Sequence, residues 1–197
     1  MNRPIFTNFG WIKVTFLGWL AGIALILMLS VFFDSIGVEN LQFYTGVGMG
    51  AGVGFTQWRY LKKLGTIDSK WFWFSVVGIG IPFVIVDILR GVDLVETGTY
   101  TLLWTLGISS FFVGLLQYKL LSGLSPQAYL WMFGAFISWT MGAATVFSLD
   151  YSHYISNHNM ILFSINLFLI LAGGIVLGIL SGIFMKLILG PSKTLSA

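Results

Sequence analysis

The chain has 197 residues, of which only 17 are charged, ten Lys or Arg and seven Asp or Glu. That is 9%, against roughly 25% in soluble globular domains, while 57% of the residues are hydrophobic and 17% aromatic. So few polar groups cannot cover a water-facing surface of this size, which excludes a cytosolic globular protein. The absence of cysteine excludes a disulfide framework, a thiolate metal site and a cysteine nucleophile.

Charge-free runs at 14–33, 40–58, 71–86, 97–118, 120–149 and 151–185 set the elements, because a spanning helix needs about 20 mainly apolar residues. The first run predicts a helix over 11–33. Its uncharged stretch exceeds the roughly 7–15 residues of a signal-peptide core, and no A-x-A site precedes Asp34, so it reads as an uncleaved anchor. The second predicts 41–61. The third reaches a spanning length only with Asp87 at the interface, giving 71–89, and Pro82 inside it should kink the helix. The fourth predicts 99–121. The fifth loses the turn SGLSPQ and leaves 128–148, and the sixth opens in the polar stretch YSHYISNHN and leaves 160–188. The expectation is an all-α, polytopic transmembrane six-helix bundle forming a single domain over 1–197.

Six spans sort the charges. One side receives Arg3, Lys13, Arg59, Lys62, Lys63, Lys70, Lys119, Lys186 and Lys193 with Asp68 as its only acid, a sum of +8. The other receives Asp34, Glu39, Asp87, Asp93, Glu96 and Asp150 with Arg90 as its only cation, a sum of −5, and together these recover the net +3. Short Lys/Arg-rich loops stay cytoplasmic, so both termini are expected on the cytoplasmic side of a bacterial inner membrane. The basic excess is then a topology signal, and no nucleic-acid partner is expected.

The sequence also repeats. Gly50, Gly54, Gln57 and Trp58 in the second helix match Ser110, Gly114, Gln117 and Tyr118 in the fourth and Gly174, Gly178, Ser181 and Gly182 in the sixth. Leu61, Leu121 and Met185 follow four residues after the polar position. The offsets, 60 and 64, carry Gly18 onto Gly78 and Gly142, and Trp11 onto Trp71, with Ala135 breaking the third match. Three tandem hairpins, about 11–64, 71–122 and 128–189, are expected around a pseudo-threefold axis along the membrane normal. The pattern resembles a class of uncharacterised bacterial polytopic proteins with recurring G-xxx-G-xx-Q-W hairpins. That resemblance implies a six-helix bundle and supplies no activity.

Several residues are candidates for function. Gly46, Gly50 and Gly54 form one small-residue ridge, Gly48 and Gly52 a second, and Gly174, Gly178 and Gly182 a third. They suit either a close contact among helices 2, 4 and 6 or a groove for a ligand or partner helix. Gln57 and Gln117, one turn from Arg59 and Lys119, must find partners in hydrocarbon; they either bond to one another or meet a polar substrate or headgroup. Asp87, Arg90 and Asp93 share a helix face, as an interfacial ion pair or an anion contact. Asp150, His153 and His158 offer weak metal-ligand spacing in a short, wet loop. Trp11, Tyr44, Trp58, Tyr60, Trp71, Trp73 and Tyr118 suit interface belts, whereas Trp104, Trp131 and Trp139 lie deeper and could line a pocket.

The sequence has no phosphate loop of the G-xxxx-G-K-S/T kind, no H-E-x-x-H, no G-x-S-x-G and no buried acid pair. The expectation is a non-enzymatic integral membrane protein without a cofactor. It would act through lateral contacts, as a subunit or accessory factor of a membrane complex, by self-association, or as a lipid-binding protein. The alternative is a small-molecule transport component, since six helices in about 200 residues resemble the substrate-binding subunits of energy-coupling-factor transporters.

Overall fold

The computed structural model describes residues 5–39, 41–65, 67–95, 98–155 and 158–190, without the side chains of 99, 100 and 153. Six helices follow in chain order: α1 (Asn8–Ser35), α2 (Phe43–Lys63), α3 (Lys70–Gly91), α4 (Thr99–Leu121), α5 (Leu130–Phe147) and α6 (Asn159–Leu189). Every end falls within three residues of its sequence-based position, the start of α1 being the farthest off, at 8 instead of 11. Thr7 caps α1, its side chain accepting from the Gly10 N–H at 3.2 Å. Short 3-10 segments, Pro126–Tyr129 and Ser148–Tyr154, flank α5. Pro82 sits inside α3, which continues through it to Gly91.

Five of the helices, α1, α3, α4, α5 and α6, are long and apolar enough to cross a membrane. Helix α2 has the length, 21 residues, but five glycines and a basic end lower its apolarity. The reason is its position. It lies between α1 and α3 with much of its surface against protein, where it needs small residues more than large apolar ones.

Each helix packs on its neighbours in the chain, and α6 packs back on α1, closing a six-membered ring. Neighbours run antiparallel: Gly18 faces Val53, Gly22 faces Met49 and Ile26 faces Gly48 across the first pair. Helix association in lipid relies on close packing rather than hydrophobicity, and α2 takes this furthest. A Cβ on Gly52 would lie 2.3 Å from the Gly22 nitrogen and 2.4 Å from the Gly18 oxygen, so the Gly48–Gly52 ridge seats α1. A Cβ on Gly50 would lie 2.6 Å from the Ser75 oxygen, so the ridge of Gly46, Gly50 and Gly54 seats α3. Likewise Gly114 faces Met132 and Ala135 of α5, while Gly174 and Gly178 face Trp19 and Ile12 of α1. The expected contact among helices 2, 4 and 6 is therefore corrected: each small-residue ridge meets an odd-numbered neighbour, because the odd helices stand between the even ones around the ring.

Charge divides along the helix axes. Lys13, Arg59, Lys62, Lys63, Lys70, Lys119 and Lys186 lie at one end, with Asp68, and Asp34, Glu39, Asp87, Arg90, Asp93 and Asp150 at the other. Arg3, Glu96 and Lys193 lie outside the described residues.

Gly52→Leu should lower the stability of the detergent-purified protein by about 3 kcal/mol, the upper range for overpacking, since rigid backbone blocks the side chain. Gly123→Ala, with open space around it, should change it by less than about 0.5 kcal/mol. Thermal melting of both variants checks this.

Candidate functional site

The basic end of the ring is filled by three indoles. Trp11, Trp71 and Trp131, from α1, α3 and α5, are at most 2% exposed. The Trp131 ring lies 6.2 Å from that of Trp11 and 5.5 Å from that of Trp71. Leu61, Leu121 and Met185 are completely buried in the same core. The structure thus groups Trp131, not Ala135, with Trp11 and Trp71. The step from 71 to 131 is 60 residues, whereas the facing pairs Gly18–Val53, Gly78–Val113 and Gly142–Leu177 keep steps of 60 and then 64.

Polar side chains stitch this cluster across helix boundaries. Gln57 Nε2 donates to Thr15 Oγ1 at 3.1 Å, joining α2 to α1. Gln117 Nε2 donates to Ser75 Oγ at 2.8 Å, joining α4 to α3. Trp131 Nε1 donates to Gln117 Oε1 at 2.7 Å, and Trp11 Nε1 donates to Ser181 Oγ at 2.9 Å, joining α4 to α5 and α6 to α1. Both glutamine bonds span 42 residues. Ser75 and Ser181 pass their own protons to the carbonyls of Trp71 and Leu177. The buried Trp71 Nε1 has no hydrogen-bond partner. Gln57 and Gln117 do not bond to each other, as one sequence-based alternative had it, because α3 separates their helices. Sequence reasoning missed Thr15 and Ser75. Their signal is a Trp-xxx-Thr/Ser step at 11–15 and 71–75, which places indole and hydroxyl on one helix face.

Farther along the axis the ring is hollow. A partly open cavity of about 240 Å³ is lined from all six helices, with Trp19, Met49, Ile79 and Trp139 at mid-depth and Leu102, Phe147 and Leu149 toward the acidic end. Trp19 donates from Nε1 to the Ile170 carbonyl at 2.9 Å, and its ring lies 6.4 Å from that of Trp139. The cavity presents no polar surface, and its wall carries no titratable side chain. Such a space stays dry and accepts apolar molecules. Of the three deep tryptophans, Trp139 lines this cavity, Trp131 belongs to the filled end, and Trp104 is 73% exposed on the bundle's outer face.

The remaining candidates have local roles. The Asp87 carboxylate accepts from the backbone N–H groups of Gln42 at 2.9 Å and Phe43 at 2.7 Å, so α3 caps the start of α2, where the helix dipole favours negative charge. Arg90 bridges Asp87 at 3.5 Å. Asp93 sits just past α3 with φ at 56°, in the left-handed region that Asp tolerates better than most residues. Asp150 and His158 are exposed, and the His153 side chain lies outside the description. Among the described residues no three His, Cys, Asp or Glu side chains come together to hold a metal ion. Comparison with protein families, curated proteins and solved structures returned no match for this chain.

Gln117→Leu strands Trp131 Nε1 and takes the donor from Ser75 Oγ, which keeps its bond to the Trp71 carbonyl, and should cost about 1–3 kcal/mol. Gln57→Leu removes one bond and should cost near the roughly 0.6 kcal/mol average for interhelical bonds in membranes. Melting curves that rank the two variants in the opposite order would contradict this network.

Proposed function

We propose that this chain is a non-enzymatic membrane protein that binds an apolar molecule, a lipid chain or a small hydrophobic compound, in the cavity of its six-helix ring. The observation that carries this reading is that the cavity is walled by every helix and exposes no polar surface. Binding sites are concave and mostly apolar, and the one hydroxyl among the lining residues, that of Thr45, has no acid or base beside it in the wall.

In this reading all six helices cross a bacterial cytoplasmic membrane, α2 included, because it runs antiparallel between α1 and α3 and shares their depth. The cationic end is cytoplasmic by the positive-inside rule, so the cavity faces the outer half of the bilayer. Three hairpins about a pseudo-threefold axis account for the recurring hydroxyl–glutamine bonds at 15–57 and 75–117. The glycine ridges are occupied by neighbouring helices, which removes the main sequence argument for a lateral protein partner. A substrate-binding subunit of a transporter is the second reading, favoured by a cavity with one filled end and one partly open end.

Ala143, buried in the cavity wall, offers a test. Native mass spectrometry of the protein in mild detergent should show a retained apolar molecule. Ala143→Phe should lose it while the melting midpoint stays level or rises, because the ring fills an existing void. A wild-type protein that retains nothing apolar, or a variant that retains it equally, would sink the reading.

A further inference from the structure

The outer surface of the basic end holds a second site. In the last two turns of α2, Trp58, Arg59, Lys62 and Lys63 surround a cleft of about 500 Å³. The Arg59 guanidinium carbon lies 5.7 Å from the Phe55 ring centre, and Lys62 Nζ lies 5.2 Å from that of Trp58. These contacts hold both cations beside aromatic faces. Among the described residues no carboxylate stands within ion-pair distance of Arg59, Lys62 or Lys63; Asp68 accepts instead from the Ser69 hydroxyl at 3.0 Å. Trp58 Nε1 is buried with no hydrogen-bond partner among the described residues. Lys119 and Lys186, at the same end, each stand alone on their helices.

The cleft continues into an apolar wall. One turn toward the bundle centre, Phe55 is 42% exposed and its ring meets that of Phe72 of α3 at 6.1 Å. Phe72 in turn lies 4.9 Å from Trp73, which is 58% exposed. Three cations and an indole N–H therefore stand at the membrane boundary directly beyond an aromatic strip on the lipid-facing surface.

We propose that this cleft binds the phosphate of an anionic phospholipid headgroup, with an acyl chain lying along Phe55, Phe72 and Trp73. Arg59 can meet a phosphate with two parallel N–H donors, and Lys62 and Lys63 supply point charges. The chemistry recognised is a phosphate anion, and the contiguous aromatic strip selects the lipid-borne form over the free ion. The site is independent of the central cavity. A purely structural role for these cations, opposing the negative end of the α2 dipole, would act regardless of which lipid is present.

The full chain in phosphatidylcholine nanodiscs, with and without phosphatidylglycerol, separates these roles. Phosphatidylglycerol should be retained in native mass spectra and should raise the melting midpoint of the wild type. The triple variant Arg59→Gln, Lys62→Gln, Lys63→Gln should retain at least about tenfold less, lose that rise, and melt unchanged in phosphatidylcholine alone. Lys62→Gln by itself should give an intermediate loss, and Lys119→Gln should behave as wild type. Equal retention by the wild type and the single and triple variants would overturn the proposal. So would a triple variant destabilised equally in both lipids, or inorganic phosphate reproducing the rise in phosphatidylcholine.

Discussion

A polar side chain inside a bilayer has no water to fall back on, so it must find its partner within the protein. At the basic end of this bundle that constraint fixes how the helices meet. Gln57 reaches Thr15, Gln117 joins Ser75 to Trp131, and Trp11 reaches Ser181. Sliding any of these helices by a turn would unpair a buried donor or acceptor, at about 1–3 kcal/mol each. The bonds therefore act mainly on register. The glycines of α2 can lie against Gly18, Gly22 and Ser75 only because that register is held.

The same arrangement makes the two ends of the ring unlike. Where the indoles of Trp11, Trp71 and Trp131 converge, the interior is solid. Beyond Trp19 and Trp139 the side chains no longer meet across the axis, and the cavity begins. The acidic end is organised from outside the axis: Asp87 caps α2 and is braced by Arg90, leaving the interior free of charge. A filled cationic end and a hollow apolar end suit the proposed binding of an apolar molecule from one half of the membrane.

The six helices were legible because charges, and at the starts of α5 and α6 the uncharged polar stretches SGLSPQ and YSHYISNHN, interrupt the apolar runs. Even α2, too glycine-rich to be recognised by apolarity alone, is bounded by Glu39 and Arg59. The depth of Gln57 and Gln117 was legible for the same reason, from their neighbours Arg59 and Lys119. Their partners were not read from hydrophobicity, because these helices are apolar nearly all round; the inward face of α1 is marked instead by the helical spacing of Trp11, Thr15, Gly18 and Gly22. The tryptophan cluster was half legible: 11, 71 and 131 are evenly spaced, but the offset of 64 that relates Gly78 to Gly142 pairs Trp71 with Ala135. The cavity was not legible, because a void reflects side chains that fail to meet in space.

The bundle is filled at its basic end and hollow toward its acidic end. The chain has no cysteine, so single cysteines report without background. Ala143→Cys stands in the cavity wall and Ala135→Cys in the filled core, where Ala135 is 1% exposed. Reaction of each in nanodiscs with a small membrane-permeant organomercurial, which binds thiols that an apolar site keeps protonated, distinguishes the two ends. The account predicts that the cysteine at 143 reacts rapidly and is protected by an apolar ligand, while the one at 135 reacts only as fast as the protein unfolds. Equal protection of both positions, or rapid reaction at 135, would contradict it.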